Sequence, residues 1–185
     1  MTGQSAPLCV LGHFIARMTL SDTKGNKATP VSIPTRKLFI KFLFLTSQFG
    51  NIRFLRSPGI ADPTKDSTIL AFADISQVAW MVVILLLRTS VDNKIYTQFI
   101  HANGGLNPPG HTIPRNELNS YAKASQIIDS ITDILEEVAT KKKLLSDNQI
   151  SMYWVINRAK KGSVFVQNRV ARITSTFSDE DLLHI

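Results

Sequence analysis

Three acidic residues stand where the chain changes element. Asp74 ends the short apolar run STILAFAD, Glu117 opens a long amphipathic segment, and Asp147 closes LLSD. If the run ending in Asp147 pairs beside the run ending in Asp74, the two acids emerge at neighbouring strand ends and Glu117 can face them. Three such carboxylates repel one another unless a cation neutralises them. A pair of Mg²⁺ ions fits, because hard oxygen ligands suit a hard cation and a phosphate supplies the remaining oxygens. Each acid also has a plainer reading: an Asp at a strand end caps or solvates a turn, and a Glu near a helix N-terminus complements the helix dipole without further function. The four histidines, 13, 101, 111 and 184, are scattered and suggest no zinc site.

The elements that would position these acids are legible from residue 66 onward. STILAFAD reads as a strand. VAWMVVILLLR, rich in β-branched residues, reads as a central strand buried on both faces. The three residues ISQ between them leave room only for a tight turn, and KIYTQFIH alternates like a third strand, completing an antiparallel meander. ANGGLNPPGHTIPR, with three Gly and three Pro, reads as a loop without regular structure. Pro114 can open the helix that follows over 116–140, whose Leu118, Ala122, Ser125, Ile128, Ile131, Leu135 and Val138 form an apolar stripe. Lys141, Lys142 and Lys143 suit its C-terminal turn, and LLSD then reads as a strand after a crossover. Helices are expected over 148–160, with Ile150, Tyr153, Trp154 and Ile156 partly on one face, and over 164–173. The order β-β-β-α-β-α-α defines an α/β fold: a three-stranded antiparallel meander plus a crossover strand, with packed helices.

Composition bounds the rest. The 185 residues, 44% apolar, suffice for a core, and the net charge of +7 permits contact with nucleic acid. Residues 1–65 carry nine Lys/Arg and two acids, whereas the remaining 120 hold twelve of each sign. We read 1–65 as a basic N-terminal segment and 66–185 as the domain. Within the segment, Leu38–Leu45 stays open between strand and short helix. Between Lys141 and Arg172 there are eight basic residues and one acid, which makes one basic side. Tyr153, Trp154 and Phe165 are read as core packing in preference to a stacking platform. The longest apolar run spans ten residues, too short for a membrane. A single cysteine, Cys9, and a start without a basic n-region argue for a cytoplasmic or nuclear chain rather than a secreted one.

Three blocks carry a family resemblance. AFADISQVAWMVVILLLR, HTIPRNEL and LLSDNQISMYWVINRAKKGSVFVQNRVARI together resemble the RNase H-like domain of BEL/Pao-class LTR retrotransposon reverse-transcriptase polyproteins, over residues 69–173. The resemblance implies an RNase H-like mixed sheet. It also implies a Mg²⁺- or Mn²⁺-dependent ribonuclease H, in which Asp74, Glu117 and Asp147 bind two ions that hydrolyse the RNA strand of an RNA:DNA hybrid. Arg115, Lys141, Lys142, Lys143, Arg158, Lys160, Lys161 and Arg169 are the candidate contacts to nucleic acid, and an adjoining polymerase region is a possible neighbour in a parent polyprotein. The alternative is an inactive remnant acting as a basic nucleic-acid-binding module. The family's pattern continues past the Asn168-Arg169-Val170 block with a fifth strand and a last helix bearing a fourth acid. Too little chain follows Ile173 to supply them, so the fold is expected to be incomplete.

Overall fold

The computed structural model describes residues 6–49, 64–135, 141–158 and 162–185. Two helices come first, α1 (Ala6–Thr23) and α2 (Ile33–Phe49), so the undecided stretch Leu38–Leu45 is helical. Asp22, at the end of α1, accepts hydrogen bonds from the Ser32 amide at 3.1 Å and the Thr35 hydroxyl at 2.7 Å, which ties the start of α2 back to α1. These bonds from Ser32 and Thr35 hold the Asp22 carboxyl below its ordinary range.

The meander follows as β1 (Thr64–Ile75), β2 (Ala79–Ser90) and β3 (Ile95–Leu106). β1 and β2 pair antiparallel up to Ile75 opposite Trp80, and the turn is closed by Ser76 donating its amide to the Ala79 carbonyl at 2.7 Å. Next come α3 (Ile113–Leu135), β4 (Lys141–Ser146), α4 (Gln149–Ile156), α5 (Val164–Thr174) and β5 (Leu182–His184), the last preceded by a single 3₁₀ turn. The sheet order is β3-β2-β1-β4-β5, with β4 parallel to β1 and β5 parallel to β4. This is a mixed sheet with helices packed on it, the fold class the alternation of elements implied.

The core lies between the sheet and α3. Ile69, Ala71 and Ala73 of β1 and Val82, Ile84 and Leu86 of β2 pack with Leu118, Tyr121, Ala122, Ala124 and Ile128 of α3 and with Val166, Val170 and Ile173 of α5. Their spacings of two in strands and of three and four in helices are what each backbone period requires. β2 is fully buried on this face only; Met81, Val83, Leu85 and Leu87, on the other, are half-buried.

Several expectations are corrected. Lys141–Lys143 do not end a helix: they are the first half of β4, opposite Thr68, Ile69 and Leu70. Ala102–Leu106 is strand despite Gly104 and Gly105, because the space a side chain would need there is already filled. A Cβ on Gly104 would lie 2.9 Å from Val10 Cγ2 of α1 and 3.0 Å from the Trp80 carbonyl oxygen, and one on Gly105 would lie 2.9 Å from the Trp80 indole nitrogen. α4 turns Ser151, Met152 and Val155 inward, leaving Ile150, Tyr153 and Ile156 exposed. Trp154 and Phe165 pack against the core. The chain also supplies a fifth strand after all: β5 pairs Leu182, Leu183 and His184 with Leu144, Leu145 and Ser146. Val138, Lys160 and Lys161 lie outside the described residues.

Candidate metal centre

Asp74 and Asp147 are placed by the parallel pairing of the two strands. Phe72 pairs with Leu145, so two residues further along each chain brings both acids to the C-terminal edge of the sheet. Both are exposed, whereas Glu117, in the second turn of α3, is only 3% exposed. One carboxylate oxygen from each of the three lies within 4.8 Å of the others. The expected convergence is therefore present, and it joins residues from three elements separated by 43 and 30 positions.

The electrostatics follow from that crowding. Burial, and then the charges of Asp147 and Asp74, push the Glu117 carboxyl up to about 7. Its Oε2 is buried and has no hydrogen-bond partner among the described residues. A buried carboxylate with one oxygen lacking a donor, grouped with two more carboxylates, is an environment a divalent cation satisfies and a neutral ligand does not. The all-oxygen donor set fits Mg²⁺ or Mn²⁺ and disfavours metals that select thiolate or imidazole.

The turn after β4 is tightly held. The Tyr121 hydroxyl, from the fully buried ring one helical turn beyond Glu117, lies 2.5 Å from Ser146 Oγ. Asn148 caps α4 by accepting from the Ser151 amide at 2.9 Å, and the Ser151 hydroxyl reaches the Pro114 carbonyl at 3.1 Å, at the start of α3. His184 Nε2 lies 3.0 Å from the Asp147 carbonyl oxygen. On the other side, the buried Asn107 donates its side-chain amide to the Ser76 carbonyl at 2.7 Å, and its own carbonyl accepts from Arg17 of α1 at 3.2 Å. The sequence did not single out Tyr121, Ser146, Asn107 or His184. A signal existed for the first, since Tyr121 lies four residues after Glu117 and shares its helix face.

The basic candidates separate into two groups. Lys141 pairs with Asp66 at 2.8 Å, Lys143 with Asp181 at 3.1 Å and Arg158 with Asp179 at 2.7 Å. Asp179 and Asp181 are thus engaged elsewhere, and neither belongs to the carboxylate group. By contrast Arg115 and Arg169 have no carboxylate partner among the described residues. Both guanidinium groups lie over the Phe165 ring, at 5.1 Å and 3.8 Å from its centroid, and His111 meets the same ring edge-on at 5.2 Å. Lys142 likewise has no acidic partner there.

A mixed sheet in this order, with carboxylates at the C-terminal ends of β1 and β4 and a third on the helix that leads from β3 to β4, defines an RNase H-like domain. The family model described as the Pao retrotransposon-like RNaseH-like domain matches residues 2–148, and the chain belongs to that family. The match takes in α1 and α2 and ends one residue past Asp147. No curated protein matches the chain. Among solved structures it is similar to RNase H1 from the halophilic archaeon Halobacterium salinarum, at 11% identity and a TM-score of 0.36, over 64% of this chain and 85% of that one. A second similar structure is LC11-RNase H1, isolated from compost by a metagenomic approach, at 12% identity and a TM-score of 0.35 over 65% and 84%. Among the described residues no helix is long and apolar enough to cross a membrane.

Proposed function

We propose that this domain hydrolyses the RNA strand of RNA:DNA hybrids, with Asp74, Glu117 and Asp147 holding divalent cations at the scissile phosphodiester. The observation that carries this reading is the convergence of the three carboxylates, with one oxygen from each within 4.8 Å of the others. Bound at these oxygens, Mg²⁺ or Mn²⁺ supplies activation of water and neutralisation of charge on the phosphodiester. The chain's own residues fix the geometry. Asp74 and Asp147 offer solvent-facing oxygens where a substrate can approach, and Glu117 anchors the group from the core side. The products carry a 5′-phosphate and a 3′-hydroxyl.

The hybrid's backbone is held, on this reading, by Arg115 and Arg169. Neither guanidinium has a carboxylate partner among the described residues, and a phosphate is the anion a hybrid offers. Lys142 contributes a further positive charge. Lys141, Lys143 and Arg158 contribute less, because each already has a carboxylate. Arg115 precedes Glu117 by two residues, so phosphate contact and carboxylate group share the start of α3.

A second reading keeps the binding and drops the cutting: a nucleic-acid-binding module of retroelement origin. The Arg115–Phe165–Arg169 cluster favours it equally, since it needs no metal. Cleavage of a labelled RNA:DNA hybrid in Mg²⁺ separates the two. Cutting that is lost in Asp74→Asn establishes the nuclease. Salt-sensitive binding without cutting at any Mg²⁺ or Mn²⁺ concentration establishes the module.

A further inference from the structure

We infer that Tyr121 is a positioning residue, whose hydroxyl holds Asp147 at the distance from Glu117 that a shared cation needs; this rests on the metal reading above. Asp147 is flanked by the two residues that the Tyr121 hydroxyl touches. The Tyr121 hydroxyl lies 2.5 Å from Ser146 Oγ and donates a long hydrogen bond, 3.5 Å, to the Asn148 carbonyl. The Asn148 amide in turn donates to Ser146 Oγ at 3.2 Å. One arrangement of protons satisfies all of these contacts: Asn148 N–H to Ser146 Oγ, Ser146 O–H to Tyr121 Oη, and Tyr121 O–H to the Asn148 carbonyl. The ring closes around Asp147, and each bond polarises the next.

Packing does not require this hydroxyl. The Tyr121 ring is fully buried in the core, and Phe would fill that space. A hydroxyl taken out of water must recover its hydrogen bonds, and this one recovers them only at the turn that carries Asp147. Tyr121 and Glu117 lie one helical turn apart on α3, so the same rigid helix sets both carboxylates: one directly, the other through the β4–α4 turn. Ser125, equally buried on α3, donates to the Tyr121 carbonyl of its own helix at 3.1 Å and, among the described residues, bonds to no strand.

The test compares Mn²⁺ affinity, read by electron paramagnetic resonance, in the wild-type chain, Tyr121→Phe and Ser125→Ala. Positioning predicts a loss of roughly 10–100-fold in Tyr121→Phe, as for other residues that orient a metal ligand. It predicts wild-type affinity in Ser125→Ala, although that variant also loses a buried hydroxyl. Amide hydrogen exchange in metal-free protein supplies an independent reading, with Asn148 exchanging faster in Tyr121→Phe. Wild-type Mn²⁺ affinity in Tyr121→Phe overturns the inference and leaves the metal site standing. A wild-type chain that takes no Mn²⁺ overturns the metal reading, and unchanged exchange at Asn148 then overturns the brace as well.

Discussion

Asp74 and Asp147 stand side by side because β1 and β4 run parallel and in register, Phe72 against Leu145. A one-residue slip in that pairing would turn one acid to the opposite face of the sheet. The site therefore depends on the central pairing of the fold rather than on a loop, and each acid can be tested with the scaffold intact.

Asp74→Asn and Asp147→Asn should each reduce Mg²⁺-dependent hybrid cleavage on the order of 100-fold or more, the scale set by losing one preorganised charged group. Both should also melt at a higher temperature than the wild type without metal, by roughly 2–4 °C, since each removes a charge that Glu117 opposes. Differential scanning calorimetry in EDTA checks the second outcome. Lower melting temperatures in both variants would show that the carboxylates do not oppose one another.

Metal-free stability should fall as pH rises from about 4.5 to about 7. Glu117 ionises near 4.5 in the unfolded chain and near 7 in the folded one, so between those values the folded state binds more protons. The stabilisation present below pH 4.5 is lost across that window, about 3 kcal/mol in all. Urea denaturation at a series of pH values measures it. Saturating Mg²⁺ should flatten the slope by stabilising the ionised carboxylate, and Glu117→Gln should flatten it without metal.

Hybrid affinity should respond unequally to loss of basic residues. Arg115→Ala and Arg169→Ala should each weaken binding and reduce the salt slope by about one. Lys141→Ala and Lys143→Ala should leave both nearly unchanged, because Asp66 and Asp181 already pair with these lysines. Fluorescence anisotropy between low and moderate salt reads all four variants. Equal effects from the lysines and arginines would place the contact surface elsewhere.

Gly104→Ala should destabilise the fold by about 1–3 kcal/mol, the usual cost of forcing an atom into packed space. The added methyl meets Val10 of α1 and the Trp80 carbonyl. Val10→Ala in the same chain should recover part of the loss, because the backbone contact remains. Asn107→Ala, which removes the hydrogen bond from this buried side chain to the carbonyl of the exposed Ser76, should cost less, about 0.5–1.5 kcal/mol. Thermal melts report both.

Much of the frame was legible because its signals are local. The β1–β2 hairpin follows from two apolar runs and a three-residue link, and α3 from its stripe through Leu118, Ala122, Ser125 and Ile128. The three acids were found for the same reason: each closes or opens an element. The misreadings share another cause. Lys141–Lys143 look like a helix end, and only pairing with β1, more than seventy residues away, makes them strand. Gly104 and Gly105 look like loop until α1 and Trp80 occupy the space beside them. β5, three residues long, carries no periodicity and exists through its pairing with β4. Nothing local marks the Tyr121 hydroxyl, since a sequence does not reveal where a hydroxyl finds its partner.

The short β5 also fixes an exit point. Ile185 donates its amide to the Ser146 carbonyl at 3.1 Å, and His184 reaches the Asp147 carbonyl. Anything joined after Ile185, whether a natural continuation or a purification tag, emerges beside the strand end that carries Asp147. A polyhistidine tag there would bring metal-binding imidazoles within reach of the carboxylates under study. Assays of this domain are therefore best made with the tag at the other terminus.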